Sequence, residues 1–179
     1  MTEPHARDHA GAALLILRRR VDDHFTAAKA RSPGAMQCRT GCAACCHQRF
    51  GVFEIEAHRV RVALARLARA DPALRERVRR QAGDPGAAHH CALLVDDRCT
   101  IYEERPLICR GHGLPTRVPG EGLQGCPLNF TTEDPPAQSV LDLSAVNAPL
   151  SVMARMWDGE GHRVALSDLA AADDVLDDA

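Results

Sequence analysis

Four cysteines fall within nine residues of this 179-residue chain, in the run Cys38-Arg-Thr-Gly-Cys42-Ala-Ala-Cys45-Cys46. No ordinary hydrophobic core needs thiols at that density, so the segment must fold around whatever its sulfurs hold. Gaps of two and three residues are those with which a chain surrounds a soft metal ion or an iron–sulfur cluster. Helical geometry narrows the choice. On an ideal helix the four side chains share one arc, but Cys38 and Cys46 lie about 12 Å apart along the axis. A zinc–thiolate bond is only about 2.3 Å long. A straight helix therefore cannot bring all four sulfurs to one ion. Either the segment coils around the metal, with Gly41 supplying the bend, or the four divide between sites. Adjacent side chains diverge, so one of Cys45 and Cys46 is expected to face a different metal atom or to bridge two.

Cys91, Cys99, Cys109 and Cys126 form a second block. A lone cysteine is usually a small buried hydrophobe. Eight of them, half in one cluster, favour ligation. Eight thiolates would complete two four-thiolate zinc sites or two iron–sulfur clusters, so the count leaves both open. The adjacent Cys45–Cys46 pair favours more than one metal atom and tilts the reading toward a multinuclear iron site. His47, His89, His90 and His112 lie beside cysteines and are further candidates, with His112 the foremost. Arg105 and Arg110 could donate hydrogen bonds to thiolates or hold an anionic substrate. Their plainer role is helix-end charge.

The apolar periodicity predicts a mainly helical α+β fold, a small helical domain with one short β-hairpin and long loops around a cysteine-ligated site. Leu14, Leu17, Val21 and Phe25 mark an amphipathic helix over residues 9–31, with Arg18, Arg19, Asp22 and Asp23 on its polar face. A second helix runs from Phe53 to Ala70. A third, Ala73 to Gln81, follows Asp71 as N-cap and Pro72 at its first position. Residues 91–102 read as a hairpin about a polar turn. A two-residue turn would place Cys91 and Cys99 on opposite faces, and a three-residue turn on the same face. If both serve one site, the longer turn or a bulge is expected. A short helix opens at Arg105-Pro106 and stops at Gly111. Residues 111–139 read as a Gly/Pro-rich loop tied down by Cys126. A last helix spans Ser144 to Trp157. One domain over residues 1–160 is expected, followed by a frayed acidic tail, 161–179.

Net charge is −2, so the chain as a whole is no polyanion binder. Residues 1–90 carry net +7 and residues 91–179 net −9. The arginine-rich stretch from Arg59 to Arg80 reads as a solvated helix face that pairs with the acidic half. Nucleic acid is disfavoured as a partner because few aromatics accompany the arginines. No apolar run reaches membrane-span length, and the N-terminus lacks the layout of a secretory signal. A cytoplasmic protein is expected, and in that compartment clustered thiols serve as ligands rather than disulfides. Metal ions are the expected partners, with room for a protein partner.

Three blocks in order, Cys38-x3-Cys42-x2-Cys45-Cys46, then Cys91-x7-Cys99-Thr-Ile-Tyr102, then Arg105-Pro106-x2-Cys109-Arg110, with a late Cys126-Pro127, resemble the YkgJ-like family of cysteine-cluster proteins. The likeness covers about residues 36–128. It implies a zinc- or iron-chelating domain whose ligands are the eight cysteines, with Tyr102, Arg105, Pro106 and Arg110 as a supporting shell. It supplies no reaction. One related group, the flagellin lysine methylases, joins such a cluster to methyl transfer, but this chain is shorter than they are. The spacing Cys38-x3-Cys42-x2-Cys45 is also similar to the radical S-adenosylmethionine motif. Ala44 stands where that family has an aromatic residue, and no series of strand–helix repeats follows. The leading expectation is a metal-binding protein holding zinc or an iron–sulfur cluster. The alternatives are a cluster-dependent methyl or electron transferase, and a zinc-stabilised interaction module, carrier or sensor. Full engagement of all thiolates would favour a non-enzyme, and an open metal position beside Arg105 or Arg110 an enzyme.

Overall fold

The computed structural model describes residues 4–87 and 89–173. It is mainly helical, with short strands, an α+β fold as the periodicity predicts. The chain forms two compact units, each drawn from separate stretches, where the sequence suggested one domain. Residues 1–40 and 107–161 make the first, and residues 41–106 and 162–179 the second. Among the described residues no helix is long and apolar enough to cross a membrane.

The first unit is built on α1, Pro4–Arg31. Its stripe of Ala10, Leu14, Leu17 and Val21 is buried. That stripe packs on α5, Ser144–Asp158, whose Val146, Leu150 and Met153 face inward, and on the short α4, Leu107–Gly111. Arg18 is also buried, against its expected place on the polar face. The Gly/Pro-rich region is more ordered than its composition suggests. Strands β4, Thr116–Val118, and β5, Gly122–Gln124, form an antiparallel hairpin, and β6, Leu141–Asp142, adds in parallel to β4. Gly120 in the connecting turn and Gly122 at the start of β5 take φ of 82° and 80°, a region open to glycine without strain.

The second unit packs α2, Glu54–Ala70, against α3, Pro72–Gly83. Asp71 caps α3 by accepting from the Leu74 amide at 2.9 Å, as the Asp-Pro pair predicts. Strands β2, Leu94–Val95, and β3, Arg98–Cys99, form the expected hairpin. Leu94 pairs with Cys99 and Val95 with Arg98, so the turn is the two-residue one. Asp96 and Asp97 both have positive φ, the backbone such tight hairpin turns require. The residues after Gly161 that were expected to fray form strand β7, Arg163–Ala165, and helix α6, Leu166–Ala171. Strand β7 pairs antiparallel with β1, Gly51–Phe53, and Leu166, Leu169 and Ala170 enter the same core as Val60, Leu64 and Val78. The apolar spacing of these three residues drives that burial, despite the acidic end beyond them. Asp174, Asp177 and Asp178 lie outside the described residues.

Arg75 shows why the arginine stretch is not one solvated face. It is 2 % exposed and donates to the carbonyls of Ala170 and Ala172, both at 2.7 Å. Those groups lie at the end of α6, where carbonyls lack partners within the helix. Arg59 reaches Glu104 through two bonds of 2.9 Å.

Candidate metal centre

The eight thiols divide five and three between the units. Cys42, Cys45, Cys46, Cys91 and Cys99 belong to the second, and Cys38, Cys109 and Cys126 to the first. None of the eight is in a disulfide, and all are partly buried.

In the second unit, Gly41 has φ of 82°, the bend the cysteine spacing calls for. Residues Ala44–Cys46 then form one 3₁₀ turn. This tight turn brings the adjacent pair together, with the Sγ atoms of Cys45 and Cys46 4.0 Å apart. Two thiolates on one tetrahedral zinc, with bonds of about 2.3 Å, lie about 3.8 Å apart. The pair is thus spaced as one edge of a tetrahedral site.

The second block joins this turn through the backbone. The Cys91 amide donates to the Cys46 carbonyl at 2.7 Å. Cys91 then opens a turn, with the Leu94 amide donating to its carbonyl at 3.0 Å. That turn breaks the strand alternation on which the face argument rested. Cys91 and Cys99 both pack against the apolar core, and the charge of Cys91 is felt at Cys99 although the hairpin turn has two residues. Gln81, on α3, holds the turn by donating to the carbonyls of Leu94, Cys91 and Ala92 at 2.7, 3.3 and 3.3 Å.

Electrostatics ties these thiols together. A shared hydrogen bond with Cys46, followed by burial, pushes Cys45 far above the usual thiol range. Burial pushes Cys99 up to about 11, and negative charge on Cys91 and Cys45 adds to this. Burial likewise raises Cys91. Arg105 acts in the opposite sense, its charge favouring the thiolates of Cys45 and Cys99. Its guanidinium lies 3.8 Å over the Tyr102 ring and donates to the Tyr102 carbonyl at 3.1 Å. The Arg59–Glu104 pair fixes the same short segment against α2. The His47 and His90 rings face each other at 6.4 Å. The cleft beside Cys91, lined by Phe50, Gln81 and His90, measures about 10 Å³, room for about one water. Among the described residues, no three His, Cys, Asp or Glu side chains are gathered in metal-holding geometry.

In the first unit, Arg110 is buried and ion-paired with Asp22 of α1. That position serves packing. His112 is half-buried, and burial lowers its affinity for a proton. Cys38 sits against Gly113, which has φ of 94°, and Asn129 donates to its sulfur at 3.3 Å. Cys126 lines an open cleft of about 240 Å³ with Gln124, Asn129 and Asp134. Gln81 and Asn129 escaped the sequence reading. Nothing in the sequence distinguishes Gln81 from other polar helix residues, and Asn129 is signalled only by its place three residues after Cys126.

The donor chemistry fits zinc or iron, because thiolate is the ligand both take in structural and cluster sites. No curated protein and no solved structure matches the chain. Residues 37–118 match the family model CxxCxxCC, described as a "putative zinc- or iron-chelating domain". That span holds seven of the eight cysteines, with Cys126 beyond it. The order of the blocks and the match over 37–118 agree, and this segment of the chain is similar to the cysteine-cluster family of zinc- or iron-chelating domains.

Proposed function

We propose that the second unit holds a single tetrahedral metal ion, zinc, through Cys45, Cys46, Cys91 and Cys99. The observation that carries this reading is the pairing of a 4.0 Å Sγ–Sγ edge with a Cys91 amide bonded to the Cys46 carbonyl. Adjacent sulfurs on different irons of a cluster would need to diverge, and these converge. Zinc would supply cohesion to a unit poor in aromatics, since binding energy at such a site is folding energy. Cys38, Cys109 and Cys126 are proposed, on sequence grounds, as ligands of a further metal ion held by the first unit, and Cys42 as a ligand as well. Arg105 and Tyr102 form the supporting shell of the four, and Arg110 stands apart on Asp22. A structural, carrier or sensor role follows more readily than catalysis, because the cleft beside Cys91 admits about one water.

Purification without oxygen, followed by metal analysis and an absorption spectrum, tests the reading. Colourless protein with stoichiometric zinc is expected. Brown protein with a broad band near about 400 nm, where thiolate-to-iron charge transfer falls, would replace zinc by an iron–sulfur cluster. Protein that takes up neither metal would remove the reading altogether.

A further inference from the structure

We propose that Asn129 is a positioning residue for the Cys38 thiolate, a hydrogen-bond donor built into the loop after Cys126. It deepens the metal reading above, in which Cys38 is a ligand. Asn129 lies outside the stretch that matches the family model.

The Asn129 side chain is 8 % exposed, and all its polar atoms are used. Its Oδ1 accepts from the Gln37 amide at 2.8 Å. Its Nδ2 donates to the Gly113 carbonyl at 2.6 Å and to Cys38 Sγ at 3.3 Å. The orientation follows from the partners. Gln37 N–H can only donate and the Gly113 carbonyl can only accept, so the amide cannot be reversed. One N–H is thereby aimed at the sulfur. Such a donor favours thiolate over thiol, and partners of this kind orient and tune metal ligands.

The rest of the cradle keeps the sulfur in place. A Cβ on Gly113 would stand 2.4 Å from Cys38 Sγ, so no larger residue fits there. The same position lies 3.4 Å from the Phe25 ring. Lys29 donates to the Cys38 carbonyl and fixes the backbone. The Asn129 amide donates to the Cys126 carbonyl at 3.0 Å, closing the turn that carries Cys126. One residue thus serves the loops of two thiols.

The test uses N129D, which keeps the acceptor for Gln37 but turns a carboxylate oxygen toward the sulfur, and N129S, whose shorter side chain takes the donor away without adding charge. Slowing of Cys38 is required in both. Metal-free, reduced protein is alkylated with iodoacetamide at neutral pH and each cysteine is followed by peptide mass spectrometry. Zinc affinity is measured by competition with a chelator. Cys38 should react about tenfold more slowly than in wild type, the scale of one lost hydrogen bond to the sulfur. The other cysteines should stay within about twofold, and the metal held through Cys38 should bind about tenfold more weakly while the zinc on Cys45, Cys46, Cys91 and Cys99 is unchanged. A purely structural role would speed several thiols together as the loops loosen. That result, or an unmoved Cys38, overturns the proposal. If circular dichroism shows N129D unfolded, N129S alone decides. Selective slowing of Cys38 in a protein that takes up no zinc or iron would sink the metal reading and leave the role of Asn129. Metal uptake with an unmoved Cys38 would do the reverse.

Discussion

Arg105 lies on Tyr102 with its charge directed to the ionisation of Cys45 and Cys99, while Arg110 is spent on Asp22. The two arginines therefore fail differently when changed. R105Q should weaken zinc binding about tenfold and lower the thermal midpoint of the metal-free protein only slightly, because the Tyr102 contacts it also loses lie at the surface. R110Q should lower metal-free stability by about 1–3 kcal/mol through a broken buried contact. Chelator competition and thermal melts separate these outcomes, and a shared effect of both variants would contradict the assignment. The thiols also set a pH dependence. Cys99 rises from an ordinary 9.0 to about 11 on folding. An acid whose folded value is raised stabilises the fold below its unfolded value and loses that contribution as pH climbs through the folded one. Metal-free protein should thus lose stability between about pH 9 and 11, and C99A should flatten the slope in denaturant titrations across that range. A slope equal to wild type would show that Cys99 is not the group concerned. The candidate ligands were legible because thiol spacing is a local property. The convergence of Cys45 and Cys46 was not, since it depends on one 3₁₀ turn that no residue type announces.

At the scale of elements, Arg75 joins α3 to the end of α6. R75M keeps much of the side chain's bulk and removes both bonds, leaving the Ala170 and Ala172 carbonyls without these donors. An unpaired buried polar group costs about 1–3 kcal/mol. R75M should therefore destabilise the protein by about 2–4 kcal/mol in urea unfolding. Hydrogen exchange should quicken first in residues 166–171. Equal protection of α6 in the variant would mean that its apolar face alone holds it. The helices were readable because apolar residues recur at three and four positions for several turns, and Asp71-Pro72 marks a start. The strands were not. Those of two and three residues, such as Leu94–Val95 and Arg163–Ala165, are too short to show a period of two. Their partners are chosen by long-range pairing, as in β1 with β7.

At the scale of the molecule, the second unit is discontinuous in sequence, residues 41–106 being completed by residues from 162 onward. Composition suggested that the segment after Gly161 was a frayed acidic tail. Packing says otherwise, because Leu166, Leu169 and Ala170 are at most 3 % exposed and share a core with Val52, Val60 and Val78. Burying a large aliphatic side chain contributes about 1.5–3 kcal/mol, so Leu166 and Leu169 alone account for several kcal/mol. That is a large fraction of the stability of any small domain. The same core backs Cys91 and Cys99, so loss of α6 should loosen the thiols as well as the fold. A chain ending at Gly161 should therefore melt at a much lower temperature. In its metal-free form Cys91 and Cys99 should react with a thiol reagent at the rate of unfolded cysteine. Excess zinc should recover part of the lost midpoint, since binding to the folded form alone stabilises by mass action. A truncated chain with the wild-type midpoint and slow Cys91 and Cys99 would show that α2, α3 and the hairpin hold the thiol site without help from the C-terminal segment.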